Sequence, residues 1–339
     1  MSDIEQLQAN RVGIPGLAGR LDDRYVIYNF SFIDQYLDRF DQVKNLVPGA
    51  QVIINAYNDP YNYTHISNRI RANGLQNQCT ILIGDLELAH EYRDMGFRYF
   101  GFFWHWWYSW YYQLPVAGAP PMIIQPDWRN RAHRLSCLNR NPSYSRFVTM
   151  YELQQQSWFD QVYSSFGNVD LLDYLRLDHD VRTWFYNNAD RFPFSHQPNY
   201  QGDNCWAVNV PAYAHSYANL ITETYSSFIL LSEKTIKPLV AGNLVFLAAA
   251  SGAAKQLRLM QFDIDFEGVD LSYDTVPDCR ARITAMVKEI DRVYQHLPDM
   301  WHANLHRLKH NRDWVLSTDF RNFLLNDVKD IFPDVQPKI

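Results

Sequence analysis

The sequence lacks the short fingerprints of the commonest nucleotide-cofactor proteins. Its 339 residues contain no Gly-x-Gly-x-x-Gly and no Walker A motif, so a dinucleotide-dependent oxidoreductase and a P-loop enzyme both lose their main support. Cysteine is also scarce, and no two cysteines form a Cys-x-x-Cys pair. The four cysteines are Cys79, Cys137, Cys205 and Cys279. Such wide spacing argues against a zinc site and is typical of reduced thiols.

Positive charge is in deficit as well. Lys and Arg number 31 against 37 Asp and Glu, which gives a formal net charge of −6 and a pI near 6.0. This balance argues against an extended nucleic-acid surface, although it leaves room for a local basic groove. The first residues, Met-Ser-Asp-Ile-Glu-Gln, contain neither the basic nor the apolar region of a secretory signal. We therefore expect a cytoplasmic protein; the oligomeric state is not indicated.

Apolar runs alternate with helical patterns, as they do in βαβ proteins. In the first half, the patterns predict strands at 25–29, 51–55, 80–83 and 99–103, and helices at 33–40, 66–73 and 86–95. These elements define one doubly wound α/β domain over residues 1–127. Ligands in such sheets lie at the carboxyl ends of the strands. The polar residues at those ends are Asn29, Asn55, Asp59 and Asp85.

A second α/β domain is predicted over residues 128–305. A Pro/Gly-rich segment, 114–121, and a turn at 126–128 mark the crossover into it. The patterns that follow predict strands at 134–138 and 244–248, and helices at 143–155, 250–260, 279–296 and 319–332. Small residues around Gly252 would let the backbone approach a ligand closely.

The stretch from Glu223 to Lys234 carries the most functional information. A short apolar strand, 218–221, brings Glu223 to its carboxyl end, and Ser232 is a good N-cap for a helix that begins with Glu233 and Lys234. Free backbone N–H groups and a lysine at a helix start suit a phosphate. A glutamate beside them can accept hydrogen bonds from ribose hydroxyls. The pattern therefore indicates a site for a nucleoside diphosphate, such as one attached to a sugar.

This stretch resembles the donor-binding signature of the fucosyltransferases that use GDP-fucose. In that family, Glu-Asn is followed by a variable stretch and Thr-Glu-Lys, with the same interval as between Glu223 and Glu233. Thr224 replaces the family's Asn and Ser232 replaces its Thr. The resemblance implies a glycosyltransferase B arrangement, an α/β fold with two Rossmann-like doubly wound domains facing a central cleft. It also implies that residues 306–339 pack back on the first domain.

A weaker match lies upstream, at Asn139, Arg140 and Arg146. The family similarly opens its C-terminal half with a strand, an Asn-containing turn and an arginine that meets the donor pyrophosphate. A guanidinium can bind phosphate oxygens through two parallel hydrogen bonds. Solvated arginines on a turn and a helix surface are the alternative, but the Glu-Lys element downstream favours ligand binding.

Segment 101–112 has the most unusual composition, because nine of its twelve residues are aromatic. No Asp, Glu, Lys or Arg occurs between Arg98 and Asp127, yet three prolines within 115–121 argue against a membrane-spanning helix. Aromatic faces stack on sugar rings and nucleobases, so we predict an acceptor groove on a packed aromatic base. Its predicted contact residues are Trp104, His105 and Trp107. Contact with a membrane surface is the alternative.

Glycosyl transfer from a nucleotide sugar requires positive charge for the diphosphate and a base for the acceptor hydroxyl. Lys234, Arg140 and Arg146 can supply the charge without a metal, and the resemblance implies an inverting mechanism. Asp85, just past a strand end, is our predicted base, with Asp59 and His105 as alternatives. The N-cap of the following helix is the alternative interpretation of Asp85, and the sequence favours it.

Two metal-binding patterns are weaker. Asp178-His-Asp180 and Asp263-Ile-Asp265 resemble the Asp-x-Asp of metal-dependent glycosyltransferases, but such triplets often arise by chance. His302, His306 and His310 are spaced to share one helix face. No acid lies within that histidine series, so an exposed polar face is the preferred interpretation.

The predicted protein is thus a glycosyltransferase without a bound cofactor, whose donor is a GDP- or UDP-linked sugar held mainly by the second domain. The acceptor is a glycan or lipopolysaccharide precursor, or alternatively a hydroxymethylated base in DNA. A noncatalytic nucleotide- or glycan-binding protein that keeps the fold is the competing hypothesis. No stable membrane insertion is expected.

Overall fold

The computed structural model describes residues 25–29, 51–55, 68, 71–72, 74, 79–99, 128–139, 142–167, 177–192, 194–195, 211–224, 226 and 229–331. The chain divides into two compact units. The first comprises Met1–Pro120 with Thr318–Ile339, and the second comprises Pro121–Ser317.

The first unit contains a four-stranded parallel sheet. Its elements are β1 (Tyr25–Asn29), β2 (Gln51–Asn55), β3 (Cys79–Ile83), α1 (Leu86–Glu91) and β4 (Phe97–Tyr99). The strands lie in the order β1-β2-β3-β4. The predicted strands at 25–29 and 51–55 are confirmed, and β3 begins one residue earlier than predicted. The predicted helix 86–95 is an α-helix followed by a short 3₁₀ turn, Arg93–Met95.

The predicted fourth strand begins two residues earlier than expected. Residues 97–99 form β4, whereas 99–103 was expected, and residues 100–103 lie outside the described part of the chain. Gly96, with φ of +87°, ends the 3₁₀ turn, so the chain re-enters the sheet immediately after it. The predicted helix 33–40 also lies outside the described residues. In 66–73, residues 68, 71 and 72 are helical.

The second unit contains the larger sheet and most of the described helices. Its strands are β5 (His133–Leu138), β6 (Tyr163–Phe166), β7 (Phe194–Ser195), β8 (Ser216–Thr222) and β9 (Leu244–Ala248). Its helices are α2 (Tyr144–Gln154), α3 (His179–Asn187), α4 (Pro211–Ala214), α5 (Glu233–Val240), α6 (Ala253–Leu259), α7 (Cys279–Val293), α8 (Leu297–Ala303) and α9 (Leu305–Leu316).

The order of this sheet is β7-β6-β5-β8-β9, and only β7 is antiparallel to its neighbour. From β5 the chain moves outward through β6, then returns to the other side of β5 to form β8 and β9. The order therefore reverses between β5 and β8, which makes that boundary the topological switch point. Every residue of β8 and β9 is buried, as expected for central parallel strands covered on both faces.

The last described helix, α10 (Thr318–Ile331), belongs to the first unit. It packs beside β4, and Phe320, Leu324 and Leu325 are buried. Two Rossmann-like α/β units are thus present, as the sequence predicts, one built on a parallel sheet and one on a sheet that is parallel except for β7.

The cysteines that the structure describes, Cys79, Cys137 and Cys279, are free thiols. Burial raises the pKa of Cys137 to about 12, so its side chain is a neutral thiol at physiological pH. Across the described helices, none combines the length and the apolar character that a membrane crossing requires.

Candidate functional site

The candidate site lies at the carboxyl ends of β5 and β8, on the two sides of the switch point. Asn139 follows β5 directly, and Glu223 follows β8 directly. The helix after β5 carries Arg146, and the helix after β8 carries Lys234. The parallel pairing of β5 and β8 brings these two turns to the same edge of the sheet.

Glu223 is fully buried, with 0% exposure. Its Oε1 accepts hydrogen bonds from the backbone N of Ser232, at 2.8 Å, and from the hydroxyl of Thr235, at 2.6 Å. Its Oε2 accepts from the Ser232 hydroxyl at 2.6 Å. In this structure the carboxylate is buried and bonds to the start of α5, and the ribose contact predicted for Glu223 stays a prediction.

Ser232 is the N-cap of α5, as predicted. Its Oγ accepts a hydrogen bond from the backbone N of Lys234 at 3.3 Å and from the Lys234 ammonium at 3.2 Å. The capping side chain thus already occupies one of the backbone donors that the sequence assigned to a phosphate. The side-chain cation is the more accessible donor at this helix start.

The Lys234 side chain is partly exposed, with 27% of its surface accessible, whereas the neighbouring Glu233 side chain is mostly covered, with 14% accessible. The Lys234 ammonium donates to Glu233 Oε1 at 2.9 Å. Burial alone would raise the pKa of Glu233, but the nearby charges of Lys234 and Lys237 outweigh it and lower that pKa. Glu233 is therefore ionised at neutral pH.

Arg146 is nearly buried, with 3% exposure. Its Nη2 donates to the carbonyl of Thr222 at 3.3 Å and to the hydroxyl of Thr224 at 3.4 Å. Burial lowers the pKa of Arg146, and the carboxylates of Glu223 and Glu233 oppose that change. In this structure the guanidinium is covered and bonds to the turn after β8, and the pyrophosphate contact predicted for Arg146 stays a prediction.

Asn139 and Thr222 join the two central strands at the switch point. The Thr222 hydroxyl donates to Asn139 Oδ1, and the Asn139 amide donates to Cys137 Sγ at 3.3 Å. Asn139 is buried, so it ties the turn after β5 to the end of β8. Thr224, in contrast, is exposed at the surface of the site.

The charges of this cluster do not cancel. Two carboxylates, Glu223 and Glu233, lie among three cations, Arg146, Lys234 and Lys237. The excess is one positive charge within a chain whose net formal charge is −6. Low-dielectric surroundings strengthen the attraction of such a cluster for an anion.

Several predicted site residues lie in the first unit or outside the described residues. Arg140, Asp59 and the aromatic residues Trp104, His105 and Trp107 lie outside the described residues. Asp85 belongs to the first unit, where its Oδ1 accepts a hydrogen bond from the backbone N of Leu88 at 3.0 Å. The N-cap interpretation of Asp85 is therefore confirmed, and its role as a base stays a prediction.

Sequence reasoning missed the residues that brace the turn after β8. The Ser145 hydroxyl donates to the carbonyl of Glu223 at 3.2 Å, and Arg282 donates to the carbonyl of Ser226 at 3.0 Å. Thr235 is fully buried and donates to Glu223 Oε1. None of the three residues carried a local signal, because their partners lie 78, 56 and 12 positions away in the chain.

The weaker metal patterns have ordinary partners. Asp178 and Asp180 both bond to Arg280, while Asp263 pairs with Arg307 and Asp265 with Arg258. The histidine series does not share one helix, because α8 ends before Asn304 and α9 begins after it. Within the described part of the chain, no three His, Cys, Asp or Glu side chains converge as a metal site would require.

No protein-family model matches this chain, and the curated proteins contain no match to it. Among solved structures, it is similar to an alpha,alpha-trehalose-phosphate synthase (UDP-forming) from Burkholderia vietnamiensis, with a TM-score of 0.40 and 12% identity over 88% of this chain and 77% of that one. It is also similar to a UDP-forming alpha,alpha-trehalose-phosphate synthase from Burkholderia xenovorans, with a TM-score of 0.36 and 13% identity over 86% and 78%. At such identities, neither likeness assigns a role to a residue of this chain.

Proposed function

We propose that the second unit binds a nucleoside diphosphate at the β5–β8 switch point, and that the chain is a glycosyltransferase using a nucleoside-diphosphate sugar. The observation that carries the proposal is the cluster of Arg146, Glu223, Glu233, Lys234 and Lys237. It has an excess positive charge at the edge where α/β sheets bind ligands, and Lys234 is its accessible cation.

Lys234 would hold the diphosphate directly. Two of the three N–H donors of its ammonium are used by Ser232 and Glu233 in this arrangement, which leaves a third for a phosphate oxygen. As the bond to the sugar breaks, negative charge grows on the departing diphosphate, and a fixed cation stabilises it most at that moment. Arg146 contributes charge from its covered position and holds the turn at Thr224.

The resemblance to fucosyltransferases supports an inverting, metal-independent displacement. Such a reaction needs a base for the acceptor hydroxyl on the sugar face opposite the diphosphate. Asp85 is our proposed base. In this structure the Asp85 side chain also caps α1 through its bond to Leu88. Asp85→Asn tests the role: turnover should fall about a hundredfold or more, while diphosphate affinity stays unchanged.

The proposed acceptor is a glycan or lipopolysaccharide precursor, with a hydroxymethylated DNA base as the second candidate. The net charge of −6 favours the first. DNA affinity that falls steeply with added salt would favour the second.

Thermal unfolding of the full chain with GDP, UDP, CDP, ADP and TDP, with and without EDTA, tests the donor site. A nucleotide at about a hundred times its dissociation constant stabilises by roughly 2.7 kcal/mol, which shifts the midpoint by several degrees. One nucleotide should produce that shift in EDTA as well. Lys234→Ala should abolish it, whereas the exposed Lys288→Ala, a matched control on α7, should retain it. No shift with any nucleotide would contradict the proposal.

Release of nucleoside diphosphate from the matching sugar donor separates an enzyme from a noncatalytic binding protein. The enzyme hypothesis predicts release that increases with acceptor and disappears in Lys234→Ala. Tight nucleotide binding without release, across the donor and acceptor panel, would favour the binding protein.

A further inference from the structure

The hydrogen bonds of Ser232 have a direction that the structure determines. A hydroxyl has one donor and two acceptor sites. Ser232 Oγ lies 2.6 Å from a carboxylate oxygen of Glu223, which can only accept. The single hydroxyl proton therefore points to Glu223, and both acceptor sites of Ser232 are left for Lys234.

Lys234 uses both of those acceptor sites. Its backbone N lies 3.3 Å from Ser232 Oγ, and its ammonium lies 3.2 Å from the same atom. The first bond fixes the start of α5, and the second holds the ammonium beside it. Glu223 does not touch Lys234 in this network; it acts through the orientation of one hydroxyl.

We propose that Glu223 is a positioning residue that holds Ser232 as a double acceptor, so that the Lys234 ammonium is preorganised for a phosphate. This inference rests on the proposed function, since it specifies how the same site is prepared for its ligand. A prealigned cation loses less conformational freedom when the anion binds, and affinity rises accordingly.

The alternative is that Glu223 only stabilises the start of α5. Its other oxygen bonds to the Ser232 backbone N and to the Thr235 hydroxyl, and neither bond leads to the ammonium. The two roles therefore use different oxygens of one carboxylate, which makes them separable by substitution.

Glu223→Gln tests the Oε2 bond while keeping the side-chain shape. The amide oxygen has to face the Ser232 backbone N–H, so the amide NH₂ takes the place of Oε2 and donates to Ser232 Oγ. That donation occupies one acceptor site that Lys234 uses now. Thr235→Val is the matched control, because it removes a bond to Glu223 without changing the hydroxyl direction at Ser232.

The measurement is the dissociation constant of inorganic pyrophosphate and of each nucleoside diphosphate, by titration calorimetry on the full chain. Removal of the Glu223 charge by itself would strengthen pyrophosphate binding, so a loss of affinity in Glu223→Gln points to a displaced Lys234 ammonium. We expect that loss to be roughly tenfold, about the effect of one charged hydrogen bond. Lys234→Met should weaken it at least as much, and the double variant should bind no more weakly than Lys234→Met alone. Thr235→Val should bind as the wild type does, even though its unfolding midpoint falls.

Three results would overturn the inference. The first is a Glu223→Gln variant that binds pyrophosphate as tightly as the wild type, and the second is a double variant whose loss of affinity is the product of the two single losses. The third is a Thr235→Val variant that loses as much affinity as Glu223→Gln. If Glu223→Gln does not fold, Ser232→Ala gives the same test, since it removes the shared acceptor. Ser232→Ala should cause no further loss of pyrophosphate affinity in a chain that already carries Lys234→Met. If the wild type binds neither pyrophosphate nor any nucleotide, the proposed function itself is rejected. If the wild type binds but the variants do not behave as described, only the positioning role fails.

Discussion

Single buried charges hold the backbone of the second unit around the site. Arg282 on α7 has 1% exposure and donates to four carbonyls, those of Ala249, Val276, Pro277 and Ser226. These carbonyls lie in loops, outside the hydrogen-bond pattern of any helix or strand. One guanidinium thus joins the turn after β9 to the loop after β8.

Arg282→Ala should therefore destabilise the second unit strongly. Several buried carbonyls lose their donor, and each unsatisfied group costs about 1–3 kcal/mol. We expect a loss of about 3 kcal/mol, or a fall of roughly 6–12 °C in the unfolding midpoint. Arg258→Ala is the control, since its ion pair with Asp265 is exposed and contributes little. Equal midpoints for the two variants would contradict this account.

The lowered pKa of Glu233 leads us to expect that the stability of the protein depends on pH. Its pKa in the folded chain lies below the ordinary value of 4.5, so its contribution is present above that pH and is lost as the pH falls through the folded-state pKa. Glu233→Gln should unfold with a flatter dependence on pH as the pH falls below 4.5. Thermal midpoints across that range measure it, with the exposed Glu267→Gln as the control for losing one carboxylate. A Glu233→Gln curve parallel to the wild type would show that the ion pair is not stabilising.

Capping residues could be predicted at this scale, whereas burial could not. Ser232 and Asp85 were identified as N-caps because a capping side chain acts on the next few residues of its own helix. The burial of Glu223 and Arg146 depends on partners 9 and 76 positions away, at Ser232 and Thr222. No local pattern encodes such pairings, so the sequence could not show that both side chains are buried.

At the scale of elements, the connection between α5 and β9 is unusually tight. Gly242 has φ of +69°, and a Cβ there would lie 2.5 Å from the ring of Trp128. That ring is stacked on the buried Trp301, so it has little room to move. The connection therefore requires glycine for two reasons, backbone conformation and space.

Gly242→Ala should destabilise the protein more than Gly252→Ala. Gly252 has a comparable positive φ of +87°, but a Cβ there meets only a flexible methyl group of Ile229 at 3.4 Å. Both variants incur about 1 kcal/mol of backbone strain, and Gly242→Ala adds a clash worth about 1–3 kcal/mol. Unfolding midpoints of the two variants measure the difference. A smaller effect for Gly242→Ala would show that the Trp128 ring yields.

Most strands could be predicted because a short apolar run between turn residues is a local signal. Strands β1, β2 and β9 match their predicted bounds. The helical patterns were less reliable where a tertiary contact ends a helix. Asn304 interrupts the predicted histidine face because its side chain bonds to the backbone of Glu267 and Met300.

At the scale of the whole molecule, the C-terminal helix α10 belongs to the first unit, whereas the residues of the proposed diphosphate site belong to the second. Both sheets were predictable in outline from alternating strands and helices. The switch point was not, because strand order follows from long-range pairing between β5 and β8.

A chain that ends after Ser317 should lose stability in the first unit only. It lacks the buried Phe320, Leu324 and Leu325 that pack within that unit. We expect faster hydrogen exchange across 79–99 and unchanged protection across 216–222 and 244–248. Diphosphate affinity should be retained. Faster exchange in the second unit as well would show that the two units do not unfold independently.

The most direct test of the central claim is a crystal structure of the chain with the nucleoside diphosphate that stabilises it most. We predict a phosphate oxygen within about 3 Å of Lys234 Nζ, at the edge of the sheet between β5 and β8. A diphosphate bound elsewhere, with the Lys234 ammonium still bonded only to Ser232 and Glu233, would contradict the account.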